Sequence, residues 1–532
     1  MTVLRTSIDT RSQEFKANFD AMKEHLEVLD GLLAGAIAGG GDKYVARHLK
    51  RGKLLSRERI ELLVDRDAPF LELSPVAGAN TEYNIGAGVV AGIGVIEGVE
   101  CVIVASDPTA KGGAINPIGL AKGLRALEIA AQNRLPVVYL VESAGGDLPR
   151  QIDVFLPGGK TFRELTRLSA AGIPTIALVF GSSTAGGAYL PGMSDYTVFV
   201  EGRAKVFLGG PPLVKMATGE DSTDEELGGA QMHATTSGLA DFMAADEIDA
   251  IRIGRMLVSR LNWSKGGREP SRRAIEPLYD SEELLGVASA DLKVPFDIKE
   301  VLSRILDGSE FDEFKPLYGS NLVTGWARIH GYDIGILANH RGILFSEESQ
   351  KAAQFIQLAN RTDTPLLFVQ NVTGFMVGAS YEQGGIVKHG SMMINAVSNS
   401  TVPHLTLQVG GSYGAGNYAM AGRPYDPRFL FVWPNAKTCI MGAEQLAGTL
   451  SIVARAAAER SGSEFDEEAD VQRRTMIKMK IEQEEQAAYL SGRVLDDGII
   501  DPRDTRTVLG IALSVVHSAQ VSGTDRFGVF RM

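Results

Sequence analysis

The chain of 532 residues carries a net charge of −12, with 44% hydrophobic and 22% charged residues, ordinary proportions for a globular protein. That length exceeds one ordinary core and suits two domains of roughly 200–250 residues. The acidic balance weighs against nucleic acid as a partner, no apolar run approaches the roughly 18 residues that cross a membrane, and two cysteines are too few for a four-cysteine zinc site.

Residues 1–33 place Asp and Glu early and hold no apolar signal core, which argues against secretion and against an Arg-rich transit peptide, so a bacterial cytoplasmic location is expected. Helices are predicted over 14–38 and 43–66. The second is basic and amphipathic (KYVARHLKRGKLLSRERIELLVD), with Ser56 as its candidate cap; a solvated arm on a neighbour and a contact with ligand phosphates both fit it. From Gly88 strands and helices alternate: a hairpin-like pair over 89–107, a helix over 119–133, and strands over 136–143 and 173–183. Apolar strands bounded by glycine turns and separated by helices indicate an α/β fold with a mostly parallel sheet covered by helices. Cys101 and Cys439 lie in apolar strand-like segments and read as buried small hydrophobes without a disulfide. A polar linker is expected over 263–277, dividing an N-terminal domain with its helical arm (1–262) from a C-terminal domain (278–532). Residues 444–517 read largely as amphipathic helix, strongly charged over 466–485.

The two halves repeat each other. Gly-Ser-Ser-Thr-Ala-Gly-Gly-Ala-Tyr (181–189) returns 229 residues later as Gly-Gly-Ser-Tyr-Gly-Ala-Gly-Asn-Tyr (410–418). The same offset pairs 173–180 with 402–409 and 136–141 with 365–370; with slight slippage Gly92 and Gly98 pair with Gly325 and Gly331, and 205–210 with 437–442. A glycine-rich turn after an apolar strand, opening a helix, aims backbone N–H groups at whatever sits above it. At Gly186, Gly187, Ala415 and Gly416 a ligand can approach the backbone closely, and the amides and helix dipole stabilise developing negative charge. Two such turns suggest two anion or oxyanion sites.

Other chemistry is thinly supported. Gly414-x-Gly416-x-x-Ala419 approaches a dinucleotide fingerprint but does not follow the first strand of its unit, and no phosphate-binding P-loop occurs. His233, His340, His389 and His404 fall near turns without spaced partners, and no metal site is expected. Ser412 sits in a G-x-S-x-G pattern, but the only later histidine is His517, which disfavours a hydrolase elbow. A site of backbone dipoles suits enolate chemistry in which the substrates bring their own base.

The segments 51–65, 111–117, 207–220, 225–241, 344–356, 374–390, 410–436 and 495–510 together resemble the carboxyltransferase (beta) subunit of a biotin-dependent acyl-CoA carboxylase, most similar to the methylcrotonyl-CoA and geranyl-CoA carboxylase branch. The resemblance implies a duplicated crotonase-like (ClpP/crotonase) fold. It also implies a biotin carboxylase/biotin carrier (alpha) subunit that delivers carboxybiotin, whose ureido enolate, after releasing CO2, takes the acidic proton of the acyl chain. By position, Gly186 and Gly187 would hold the thioester oxygen and Ala415 and Gly416 the ureido oxygen. Gly145, Gly146, Ala185 and Lys111 fall on the CoA side; Gly374, Phe375 and Gly414 fall on the biotin side. A hexamer (trimer of dimers) with active sites between the N-half of one subunit and the C-half of another is expected by analogy. The chain departs from the branch at VFLPGGKTFRELTRLS (154–169), near the expected acyl pocket, where Gly158 and Gly159 either make room for a longer chain or form a turn. A propionyl- or longer-chain acyl-CoA carboxylase and a biotin-dependent decarboxylase subunit are the alternatives. Ile477-Lys478-Met479 resembles a biotin attachment site only faintly and lies in a charged helical stretch, and no ATP-binding domain is recognisable. The chain should therefore be inert without a biotinylated partner.

Overall fold

The computed structural model describes residues 2–532. Among these residues two large sheets form, one of eight strands and one of nine. The first runs in the order Leu71–Glu72, Val89–Ile96, Val99–Ser106, Val137–Ser143, Thr175–Thr184, Tyr196–Val200, Phe242–Ala244, with Lys205–Phe207 beside the upper end of Thr175–Thr184. Its hairpin edge is antiparallel and the rest parallel. The second runs Thr2–Val3, Glu310–Glu313, Leu322–Ile329, Tyr332–Asn339, Leu366–Val372, His404–Tyr413, Phe429–Val432, Gly498–Ile499, with Lys437–Cys439 beside His404–Tyr413.

The repeat extends to strand register. Val137 opposite Thr175 in the first sheet becomes Leu366 opposite His404 in the second, each 229 residues later. The correspondence continues through an irregularity at the strand ends, where Ser143 opposite Ser183 becomes Val372 opposite Ser412. Each hairpin turn rests on a carboxylate: Asp65 accepts from the N–H groups of Glu97 and Gly98, both at 2.8 Å, and Asp307 accepts from those of His330 and Gly331 at 2.9 and 2.8 Å. Arg255 and Arg506 close the two arrangements.

One apolar layer is shared between the halves. It joins Leu127, Tyr139 and Phe199 of the first to Leu302, Ile329, Phe431 and Trp433 of the second. Separate clusters fill the outer faces, one under the helices Ser56–Leu63 and Glu247–Arg260, the other under Ser346–Arg361 and Ile386–Asn399. The helix Gln13–Ala38, capped by Ser12, buries Phe15, Met22, Leu26, Leu29 and Ala36 on one stripe. It lies against the second half, where the Phe15 ring fills the space that a side chain at Gly286 would need. Residues 263–277 contain no helix or strand and are tied down by Gly266 and Gly267, which donate to the carbonyls of Ser518 and His517 at 2.9 and 3.0 Å.

Several local expectations change. The predicted helix 43–66 is two helices, Asp42–Lys50 and Ser56–Leu63, broken where Gly52 adopts φ 68°. Ser56 does not cap: its hydroxyl donates to the Ser106 carbonyl at 2.7 Å, and the Glu58 carboxylate receives the Leu55 N–H instead. The first of these helices is mostly exposed, as a solvated arm would be, whereas Arg59 in the second is fully buried. Cys101 is buried, whereas Cys439 is half-buried, on a short outlying strand. Gly158 and Gly159 are interior residues of the helix Gln151–Ala170, so they form no turn. Within 444–517 the helices are Ala443–Ser461, Glu467–Glu484, Ala487–Ser491 and Thr505–Val516, interrupted by the strand Gly498–Ile499.

Candidate functional site

Each sheet's two longest parallel strands end in glycine segments that lie side by side. In the first half, Val137–Ser143 runs into Ala144–Asp147, which is fastened to residues 111–115. Ala144 donates to the Gly112 carbonyl at 3.0 Å, Ile115 to that of Gly145 at 2.8 Å, and Asp147 to that of Ile115 at 2.9 Å. The Ser143 hydroxyl donates to Gly113 O at 2.8 Å and accepts from the Gly145 N–H at 3.2 Å. The neighbouring strand Thr175–Thr184 passes into a 3-10 turn, Ala185–Ala188, then a short helix, Tyr189–Met193. The Ser183 hydroxyl steadies this turn by donating to Gly187 O at 2.8 Å. A side chain at Gly145 would come within 3.7 Å of the Ala185 methyl, so the two segments are in contact.

The second half repeats the arrangement. Thr373 donates to Gly342 O at 2.7 Å and Met376 to Leu344 O at 2.9 Å, fixing Gly374 and Phe375 beside residues 342–344. His404–Tyr413 leads into the helix Gly414–Ala419. Gly374 has φ 134°, where its counterpart Gly145 has φ 94°. Gly414 has φ 55°, and its counterpart Ala185 holds the same left-handed backbone at φ 52°. That shared kink turns the chain from strand to helix at the same point in both halves. The amides that follow it, at 186–187 and 415–416, fall in the first turn after the kink, where an N–H has no acceptor one turn earlier in its own helix. A Cβ on Gly416 would lie 2.6 Å from the Val372 side chain and 3.1 Å from Gly374 Cα, so only glycine fits there.

The surroundings of the two turns differ. In the first half, the Phe162 ring stands 3.6 Å from the position of a Cβ on Gly186 and packs on Tyr189 with ring centres 5.2 Å apart. Lys111 is largely exposed and lies 3.4 Å from Asp147. Burial alone would raise the Glu142 carboxyl, but Arg59 and Lys53 outweigh it and hold the group below the usual carboxylate range. In the second half the Phe375 ring lies against Gly390, and Tyr413 meets Glu485, which also pairs with Lys437 at 2.8 Å. Burial and the Glu485 charge push the Tyr413 phenol up, so it stays neutral.

The structure thus brings Lys111, Gly145, Gly146, Ala185, Gly186 and Gly187 together in one half, and Gly374, Phe375, Gly414, Ala415 and Gly416 in the other. Phe162, Tyr189 and the ionic group around Glu142 were missed. The helical spacing of 154–169 carries the first two, since it brings Phe162 onto the neighbouring turn, but residues 53–59 meet Glu142 only through tertiary packing. Ser412 is no nucleophile: it is fully buried, donates to Gln370 Oε1 at 2.7 Å and accepts from Asn417 Nδ2 at 2.8 Å. His404 hydrogen-bonds Ser400, and burial reinforced by Arg428 lowers it to about 4. Lys478 sits within a helix and pairs with Glu444 at 2.9 Å. Among the described residues no group of three His, Cys, Asp or Glu side chains is placed to hold a metal, and no helix is long and apolar enough to cross a membrane.

Residues 47–530 match the family model described as the carboxyl transferase domain. A probable biotin-dependent acyl-coenzyme A carboxylase beta2 subunit of Mycobacterium tuberculosis is 63% identical over 530 residues, covering 100% of both chains. The biotin-dependent 3-methylcrotonyl-coenzyme A carboxylase beta1 subunit of the same organism is 48% identical, covering 95% of this chain and 96% of that one. Among solved structures, the beta subunit of Pseudomonas aeruginosa geranyl-CoA carboxylase superposes with a TM-score of 0.91 at 44% identity, covering 99% of each chain.

Proposed function

The chain belongs to the carboxyl transferase family as the beta subunit of a biotin-dependent acyl-CoA carboxylase, and from that premise we propose that it carboxylates a branched enoyl-CoA such as 3-methylcrotonyl-CoA. The observation that supports the site assignment is the repeated strand-to-helix kink at Ala185 and Gly414, which sets the amides of 186–187 and 415–416 in a first turn, where helix N–H groups are available to a ligand. Gly186 and Gly187 donate to the thioester oxygen as it gains negative charge, with the macrodipole of the turn behind them. Ala185, Gly145, Gly146 and Lys111 line the CoA approach.

Ala415 and Gly416 offer the matching donors to the ureido oxygen of biotin, with Gly374, Phe375 and Gly414 as the walls. The bare backbone at Gly416, where a Cβ would strike Val372 and Gly374, fits a cradle for a flat ring that must approach the amides closely. Biotin, carried covalently on the partner subunit, supplies the carboxyl group. The relatives named for methylcrotonyl-CoA and geranyl-CoA support a branched, unsaturated acceptor. So does the tilted aromatic pair of Phe162 and Tyr189 beside Gly186, which offers ring faces to an enoyl group. Gly159 is exposed and nothing lies within 4 Å of a Cβ built there, so it sets no limit on the acyl chain; propionyl- or longer-chain acyl-CoA is the second reading.

We further infer the division 1–262 for the acyl-CoA side, 263–277 for the linker and 278–532 for the biotin side, a biotin-carrying alpha subunit as partner, and a cytoplasmic hexamer. Exposed Leu148, Ile152, Phe155 and Leu156 in one half, and Ile440, Leu450, Ile452 and Val453 in the other, support burial against further copies. The test is ATP- and bicarbonate-dependent carboxylation with the biotin-carrying partner across propionyl-, methylcrotonyl-, geranyl- and long-chain acyl-CoAs. Turnover of a β-branched enoyl-CoA is expected; turnover of saturated acyl-CoAs alone would overturn the substrate.

A further inference from the structure

Corresponding positions of the two halves differ most in charge beneath the glycine turns. Glu142, the residue before Ser143 on the strand that leads to Gly145 and Gly146, corresponds to Asn371 in the second half. Asn371 is neutral and bonds only locally: its Oδ1 accepts from the Gly411 N–H at 3.1 Å, and its own N–H donates to Asn339 at 3.2 Å.

Glu142 instead anchors an ion cluster. One carboxylate oxygen receives Lys53 and the other Arg59, at 2.9 Å. Arg59, fully buried, donates through Nε and Nη2 to Glu247 at 2.9 and 3.1 Å. Glu247 also receives Arg203 at 3.0 Å and the Leu54 N–H at 3.1 Å. The cluster grips the second strand as well. The Arg59 guanidinium stacks 4.4 Å from the Phe180 ring centre, and Lys53 donates to the Phe180 carbonyl at 3.4 Å. At Gly181 a Cβ would come within 2.7 Å of the Glu142 carboxyl, so the carboxylate lies directly on that strand.

The segment that carries the Gly186 and Gly187 amides and the Gly145–Gly146 wall beside it therefore both begin a few residues beyond one buried clamp, made by the 53–59 segment. From this geometry we propose that Glu142, held by Arg59 and Lys53, is a positioning residue that sets the spacing between Gly145–Gly146 and Gly186–Gly187, and that it acts on the acyl-CoA half of the reaction alone. The inference rests on the acyl-CoA carboxylase reading. The basic 53–59 segment, which its sequence also suits to ligand phosphates, thereby serves the site from below, through buried ion pairs. Paired and hydrogen-bonded on both oxygens, the carboxylate keeps one geometry; losing either cation leaves one buried carboxylate oxygen without its partner, and the strands then shift to relieve it. Misplacement of an oxyanion donor by about 1 Å costs on the order of 100-fold in rate.

The test uses the holoenzyme reconstituted with its biotin-carrying partner. Two reactions are followed: forward carboxylation at saturating acyl-CoA, and carboxyl transfer from the carboxylated acyl-CoA to free biotin, whose KM reports on the second half. Glu142→Gln, which keeps shape and removes charge, is expected to lower kcat by about 100-fold with the KM for free biotin unchanged. Arg59→Lys, which retains the charge but loses the fork, should fall between wild type and Glu142→Gln. Unchanged kcat with only a lower melting temperature would overturn the proposal, and so would a rise in the biotin KM alongside the loss of kcat. Should Glu142→Gln fail to fold, Lys53→Met at the cluster's rim carries the same expectation with a smaller loss, and unchanged kcat in it also overturns the proposal. A wild-type holoenzyme inactive on every acyl-CoA would instead sink the carboxylase reading itself.

Discussion

Lys122 and Lys351 occupy the same place in the two halves. Each lies on the helix that crosses its sheet, each is 1% exposed, and each donates to the residue that opens a hairpin: Lys122 to Val89 O at 2.7 Å, Lys351 to Leu322 O at 2.8 Å. Burial brings both ammonium groups down to about 8, even though Glu72 near Lys122 and Glu313 near Lys351 pull the other way.

The shift has a definite sign. Between about 8 and the unfolded value near 10.4 the unfolded chain holds more protons than the folded one, so stability from these groups rises with pH across that window. The urea midpoint of wild type is therefore expected to gain on that of Lys122→Met as pH climbs from 8 to 10. Parallel pH profiles for the two proteins would count against a buried, proton-shedding lysine.

Alanine at the two central glycines should have unequal effects. A Cβ on Gly416 meets Val372 at 2.6 Å and the Gly374 backbone at 3.1 Å, whereas one on Gly187 meets the Ser183 hydroxyl at 3.3 Å and the Ser143 side chain at 3.7 Å. Gly416→Ala is expected to displace an amide donor and lower kcat by about 100- to 1,000-fold, equivalent to roughly 2.7–4 kcal/mol. Gly187→Ala should cost about tenfold or less. Steady-state carboxylation by the two variants decides the matter, and equal losses would contradict the assigned cradle.

Ser412→Ala should keep most of the activity. The hydroxyl is locked between Gln370 and Asn417, so its loss removes a hydrogen bond worth about 1 kcal/mol and no nucleophile. Covalent labelling of wild type by a fluorophosphonate at Ser412 would overturn this.

A buried ion pair reinforces the apolar layer that joins the halves. Asp497 of the second half receives Arg125 of the first through Nε at 2.8 Å and Nη2 at 2.9 Å, and Arg125 also donates to Pro427 O at 2.9 Å. Asp497→Ala leaves the buried Arg125 with only the partly exposed Glu128, at 2.9 Å, to balance it, and is expected to cost about 3 kcal/mol in equilibrium unfolding. Adding Arg125→Met should recover part of that loss; purely additive effects would show that the two groups do not interact.

The duplication was legible because its markers are local. Proline before a strand and glycine after it need no partner to be recognised, and the 229-residue offset appears unchanged in the strand register. The glycines at 186–187 and 415–416 were legible for the same reason. What escaped were side chains whose meaning depends on distant residues. Arg59 reads as a solvent-facing helix charge until Glu142 and Glu247 come to meet it across the outer layer. Asp65 and Asp307 look like ordinary loop acids until a hairpin turn is laid over each. Gly158 and Gly159 carry turn propensity, but the helix Gln151–Ala170 overrides it because Leu165 and Leu168 are buried on its inner face.

The short strand Thr2–Val3 pairs with Glu310–Phe311, and the helix behind it packs on residue 286. On a translating ribosome these residues cannot meet their partners at 286 and 310–311 until the chain has grown past residue 310. At about 5–20 residues per second that wait lasts roughly 15–60 s. During it, the apolar stripe of Phe15, Met22, Leu26 and Leu29 is left without its mature partner. The stripe therefore closes only after residues 286 and 310–311 have been made, although it precedes both in the chain.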